Sequence, residues 1–232
     1  LAWKVESASL IQTLGGAPVR LMNDLEATAY GALHTDPNEM QTLNEGISRP
    51  GNRAVIAAGT GLGQAFLFWD GTRYIAAATE GGHVDFAPRN ALEDSLLGYL
   101  RKQYPSVSYE RIVSGPGLVQ ICHFLVDEHQ RPLSSSVRQQ LQTEDPAAVI
   151  GQAGVTRTCP TCEEAIEIFL GIYGAQAGNL ALSVMGLGGV YIGGGIITKL
   201  LPKVGQGAFL QAFQNKGRFS ALMQEIPVQI LL

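Results

Sequence analysis

From Ile168 to Thr198 the chain carries no charged residue. A stretch that long must be buried, either in a bilayer, where a helix needs about 20 apolar residues, or in a protein core. Glycines, Gln176 and Asn179 dilute its apolarity, and the pattern changes midway. Ile166, Phe169, Leu170, Tyr173, Ala177, Leu180, Ala181 and Val184 recur at helical spacing, as one face of an amphipathic helix. Gly188-Gly189-Val190-Tyr191-Ile192-Gly193-Gly194-Gly195 then reads as a short buried strand between glycine turns. Gly174 and Gly178 have the spacing of a membrane-helix contact, but a close helix contact in a soluble core is the simpler reading. A core helix followed by a buried strand points to α/β layering.

The rest of the chain alternates in the same way. Helices are expected over 5–14, where Gly15-Gly16 gives the stop signal, and over 25–33, 92–103, 117–128, 135–142, 146–154, 163–185 and 207–215. Strands are expected over 19–22, 54–58, 64–69, 74–78 and 226–232, with Asp70-Gly71 as a hairpin turn. Residues 35–52 are polar, with prolines and glycines, and read as a connection. There is no internal repeat or long linker.

Composition excludes some classes of function. The 232 residues are 46% hydrophobic with net charge -4, enough for a substantial core and without the basic footprint of a nucleic-acid binder. Three cysteines, Cys122, Cys159 and Cys162, do not make a disulfide scaffold and fit a reduced, cytoplasmic setting. The Cys159-Pro160-Thr161-Cys162 spacing suits zinc, but three thiols cannot supply a four-thiolate site. Thr161 and Glu164 instead have capping-box spacing, and the cysteines read as structural.

Three segments carry candidate chemistry. Asn23-Asp24 stands between an expected strand and an expected helix; either residue could simply cap that helix, or Asp24 could act as a base. Gly59-Thr60-Gly61-Leu62-Gly63 joins two expected strands. It is a tight glycine hairpin or, with amides bared by missing Cβ atoms and a Thr60 hydroxyl, a phosphate cradle. No Gly-Lys-Ser/Thr follows, so it is not a Walker loop. Glu80-Gly81-Gly82-His83-Val84-Asp85 packs two carboxylates and an imidazole around a flexible turn, suited to hydrogen-bonding vicinal hydroxyls. A metal at Glu80, His83 and Asp85 ranks lower, because no second histidine lies nearby. Glu110 is a solvated charge, a partner of Arg111, or a ligand turned inward by Ser114-Gly115-Pro116-Gly117. His34, His123 and His129 read as surface or packing residues.

In order, Met22-Asn23-Asp24-Leu25, Ala58 to Gly63, Glu80 to Pro88, Glu110 to Leu118 and Gly188 to Ile196 resemble the bacterial glucokinase family of the actin-like hexokinase superfamily. The resemblance runs through Lys216-Gly217-Arg218-Phe219. It implies a ribonuclease H-like, two-domain α/β sugar kinase with ATP and Mg2+ as co-substrate and metal, glucose as substrate, and a homodimeric, cytoplasmic state. Asp24 matches the base that takes the proton of the sugar 6-hydroxyl. Asn23, Glu80, His83 and Glu110 match glucose-binding positions. Gly59, Thr60, Gly61 and Gly63 match a phosphate loop, and Gly193, Gly194 and Gly195 the adenosine side. No metal ligand and no cysteine-rich zinc loop is implied.

The chain departs from the family at its ends. It lacks an opening Asp-x-Gly-Gly-Thr hairpin and a closing helix, so residues 1–34 are expected to be an incomplete small domain and 35–232 the large domain. Turnover by this chain alone is therefore expected to be impaired. Two readings compete with a glucose kinase: a kinase of another hexose or an amino sugar, and a non-catalytic sugar-binding regulator. Retention of Asp24 favours a kinase, since binding alone needs no base.

Overall fold

The computed structural model describes residues 5–232. Its frame is a six-stranded sheet in the order β1-β6-β5-β2-β3-β4. The strands are β1 (Met40–Asn44), β2 (Arg53–Ala58), β3 (Leu62–Trp69), β4 (Tyr74–Thr79), β5 (Gly189–Gly193) and β6 (Val228–Leu231). β2, β5 and β6 run parallel, and the other neighbours pair antiparallel. The β3–β4 hairpin is closed by the Asp70 carboxylate, which accepts the Thr72 and Arg73 amides at 2.8 and 2.9 Å. Those bonds, the Arg73 amide foremost, hold the Asp70 pKa down to about 2.

Period-two alternation sends Ala54, Ile56 and Ala58 to one face of the sheet and Val55 to the other. The first face carries the main core, built with α3 (Ala91–Arg101), α4 (Gly115–Asp127), α5 (Ser135–Gln140), α6 (Pro146–Val155), α7 (Pro160–Ser183) and α10 (Ala208–Gln214). The second face packs Val55, Ala65 and Leu67 against Ala29 and Ala32 of α2 (Asp24–Ala32). Short helices α8 (Gly195–Lys199), α9 (Leu201–Val204) and α11 (Ser220–Gln224) complete the C-terminal half. Helix α1 (Ser7–Thr13) buries no residue.

The charge-free segment divides as expected, into α7 and the fully buried β5. A Cβ at Gly174 would stand 2.0 Å from the Phe209 carbonyl oxygen, so α10 crosses α7 where the side chain is missing. This is a core contact between helices of one chain.

Three expectations are corrected. The segment 19–22 forms no strand, because among the described residues no strand of the sheet lies beside it. The polar connection 35–52 contains edge strand β1, paired to β6; an edge strand needs little apolar patterning, and only Met40 and Leu43 betray it. Thr161 is not a cap: α7 begins earlier, at Pro160, and the Thr161 hydroxyl donates instead to the Pro132 carbonyl at 2.7 Å. Glu164 pairs with Arg131 at 3.3 Å. The three short helices α8, α9 and α11 were not legible, since four or five residues hold no full period.

Candidate active site

The site lies where β2 ends and β3 begins. Gly59 donates its N–H to the Gly61 carbonyl at 2.8 Å, and its own carbonyl accepts the Gly115 amide at 2.9 Å from the start of α4. The Thr60 and Gly61 amides have no partner among the described residues, and both residues face the cleft. Behind the loop, the buried Tyr173 hydroxyl accepts the Ala58 amide at 3.2 Å and lies 3.2 and 3.3 Å from the Ile56 and Gly193 carbonyls. One phenol thus ties the ends of β2 and β5, where both glycine motifs start. Gly194 has φ +92°, and a Cβ there would sit 2.2 Å from the Ala58 carbonyl oxygen, so only glycine fits.

Gly81–His83 forms a single 3-10 turn that lies on the start of β3. His83 stands between two carboxylates, 3.9 Å from Glu80 (Nε2 to Oε2) and 3.8 Å from Glu110 (Nδ1 to Oε1). Glu110 accepts the Leu62 amide through Oε2 at 3.0 Å, leaving Oε1 toward His83. Its carboxylate is engaged by that amide and faces His83, and it is not the partner of Arg111, whose guanidinium stacks over Tyr104 at 4.5 Å. A short antiparallel bridge brings the two segments together: Phe86 N–H donates to the Val107 carbonyl at 2.9 Å and Tyr109 N–H to the Val84 carbonyl at 3.1 Å.

Asn23 and Asp24 open α2. Both side chains accept the Leu25 amide at 2.8 Å, so the capping reading is correct for Asn23. It does not exhaust Asp24, whose carboxylate is exposed at the helix N-terminus, where negative charge is favoured. Leu25 presses on Gly63: a Cβ there would meet Leu25 Cδ2 at 2.3 Å, so this glycine sets the approach of α2 to the sheet.

Asn23, Asp24, Glu80, His83, Glu110 and the Gly59–Gly63 loop all line one open cleft of about 460 Å³, within the usual range for small-ligand sites. Of the third glycine motif only Gly194 reaches it; Gly193 closes β5 and Gly195 opens α8. Gln64 and Thr79 also line the cleft and were missed by sequence reasoning. The signal was available. Gln64 falls on the Leu62 side of a period-two strand, a polar residue at a buried position, and Thr79 pairs with it across the hairpin.

The cysteines do not take part. Cys122, Cys159 and Cys162 are free and buried, and the hydrogen bond that the Cys162 thiol donates to Cys122, together with burial, pushes the Cys162 thiol pKa far up. Among the described residues no cluster of three or more His, Cys, Asp or Glu is placed to hold a metal ion. His34 and His123 are exposed, and His129 packs edge-on against Phe124 at 4.8 Å.

Comparison with known proteins agrees with this geometry. The glucokinase family model matches residues 1–232. A glucokinase of Synechocystis is 41% identical over the whole of this chain and 70% of its own length, and one of Nostoc is 42% identical over 100% and 72%. Among solved structures, a glucokinase from an Antarctic psychrotroph superposes with TM-score 0.86 at 30% identity, over 97% of this chain and 67% of that one. A glucokinase from Balamuthia mandrillaris in complex with glucose gives 0.77 at 25% identity, over 90% and 60%. The mixed sheet, the glycine loop between β2 and β3, and the acid at a helix start define a sugar kinase of the actin-like fold. More narrowly, the chain belongs to the glucokinase family, enzymes that phosphorylate glucose with ATP.

Proposed function

We propose that this cleft holds glucose between Asp24 and the bank formed by Glu80, His83 and Glu110, with Asn23 at its side, and that Asp24 is the catalytic base. The observation that carries the reading is convergence: chain segments at 23–24, 59–63, 80–83 and 110 meet at one cleft. Three groups on one wall accept or donate hydrogen bonds, which suits a polyol. Asp24 takes the proton of the attacking 6-hydroxyl as the oxygen bonds to the γ-phosphorus of ATP and the bond to ADP breaks. The free Thr60 and Gly61 amides and the exposed Thr60 hydroxyl fit phosphate oxygens. Mg2+ would arrive on the nucleotide phosphates, its usual mode, and supply charge neutralisation there. Gly194, lining the same cleft, is placed on the nucleotide side, with Gly193 and Gly195 shaping its turn.

We place residues 1–34 with a small domain and 35–232 with the large one, and assign a cytoplasmic homodimer, which light scattering of the purified protein tests directly. Glucose binding by this chain should outlast its turnover, because the segment leading to Asp24 is thinly held: α1 buries nothing and residues 17–23 form no helix or strand.

The test is Asp24→Asn. Turnover at saturating MgATP should fall by about 10²–10⁴, with glucose affinity by calorimetry nearly unchanged. Normal turnover in that variant, or glucose binding that never occurs in the parent chain, would sink the reading. A panel of hexoses and amino sugars in the same calorimeter decides the preference for glucose.

A further inference from the structure

We infer that Lys216 is a positioning residue for the sugar site, acting through Asn179 and Tyr109 on Glu110 and His83. The inference rests on the sugar-site reading above. Lys216 follows α10, and its backbone is turned by Gly217 at φ +57° and held by a hydrogen bond from its N–H to the Ser220 hydroxyl at 3.1 Å. Its side chain runs over α7 at Gly178, where a Cβ would lie 2.6 Å from Lys216 Cε. The ammonium donates to the Ala175 carbonyl at 2.8 Å and to Asn179 Oδ1 at 2.6 Å.

That contact orients the amide. An ammonium only donates, so the Asn179 oxygen must face Lys216 and its Nδ2 must face away. Nδ2 then donates to Tyr109 Oη and to Gln176 Oε1, both at 3.1 Å. Tyr109 is buried, packs edge-on against Phe86 at 5.5 Å, and donates its N–H to the Val84 carbonyl. Glu110 and His83 are the next residues beyond Tyr109 and Val84. Holding Tyr109 therefore holds both ends of the carboxylate–imidazole bank.

The choice of lysine supports the assignment. No carboxylate pairs with it among the described residues, and burial, with Arg89 nearby, lowers its pKa to about 8. Arg89 is itself engaged by Glu93. A residue that only filled the slot over Gly178 would be apolar, without the cost of a half-buried charge. What the charge gains is a fixed direction for Asn179.

Calorimetry of glucose binding to the full chain tests this with Lys216→Met, Glu110→Gln and the double variant. Lys216→Met should weaken glucose roughly tenfold, the scale of one charge-assisted hydrogen bond, and the loss should largely vanish in the Glu110→Gln background. Binding of a non-hydrolysable ATP analogue should not change. If Lys216→Met fails to fold by circular dichroism, Tyr109→Phe replaces it in the same cycle, with about a threefold loss expected from a neutral hydrogen bond. Wild-type glucose affinity in the Lys216 or Tyr109 variant, or equal losses with and without Glu110, overturns the inference alone. Unchanged glucose affinity in Glu110→Gln overturns the sugar-site reading and the inference with it.

Discussion

The two banks of the cleft are built differently. Glu80, His83 and Glu110 stand on turns pinned to β3 and bridged to each other, over the main core of the sheet. Asn23 and Asp24 stand on the first turn of α2, with one amide shared between them and Leu25 as the nearest packing contact. The first bank is tied by hydrogen bonds at the cleft itself, whereas the second meets the cleft at a helix cap and one leucine, with the buried packing of α2 farther along at Ala29 and Ala32. A site that binds with one wall and reacts with the other can separate affinity from rate, because only interactions made in the transition state raise kcat.

The sharpest way to break the comparison is to exchange the effects. Asp24→Asn should act on turnover by about 10²–10⁴ and hardly on affinity, while Glu110→Gln should act first on affinity. If both variants lose glucose binding equally, measured by calorimetry, the banks do not differ in role.

Next in size is Gly82→Ala on the first bank. A Cβ there would lie 2.0 Å from the Leu62 carbonyl oxygen, backbone against backbone, and neither side can swing away. Overpacking of this kind costs roughly 1–3 kcal/mol, which urea unfolding should read as a lower midpoint at constant slope. A variant as stable as the parent would mean that the turn is not pinned.

Gly61→Ala should be milder in stability and specific in function. Its Cβ would stand 2.5 Å from Glu110 Oε2, the far end of a flexible side chain. The chain can fold around it, but Glu110 must leave the Leu62 amide. Glucose affinity should fall about tenfold, the worth of one hydrogen bond to a charge, and the unfolding midpoint should fall modestly with the loss of the bond to the Leu62 amide.

These differences also show what could be read from the amino-acid order. β2, β3 and β5 were legible because their apolar runs are bounded by glycines, of which Gly194 leaves no room for a Cβ. Glu80 and His83 were legible as a local group. Glu110 was not distinguishable from a surface charge on spacing alone; its partner, the Leu62 amide, is 48 residues away in sequence. The apolar run at 19–22 misled, since a strand is defined by its neighbours and none lies beside it among the described residues. β1 was hidden for the opposite reason, a polar edge strand with a bulge at Thr42–Asn44. The Lys216–Asn179–Tyr109 chain joins three distant segments, and its hydrogen bonds have no sequence period.

The smallest expected effect lies in the segment that precedes the second bank. Leu14 is 59% exposed at the end of a helix that buries nothing. Leu14→Ala should change unfolding free energy within about 0.5 kcal/mol, as surface substitutions do. Hydrogen exchange gives the same comparison without mutation. Amides of α1 should exchange through local opening near zero free energy, and those of Phe86 and Tyr109, bonded across the bridge to Val107 and Val84, near the global value. Adding glucose should protect the amides around Gly82 and Glu110 further through mass action. Protection reaching α1 as well would show that the ligand closes the second bank onto the first, and the two walls would then be one unit in the bound state.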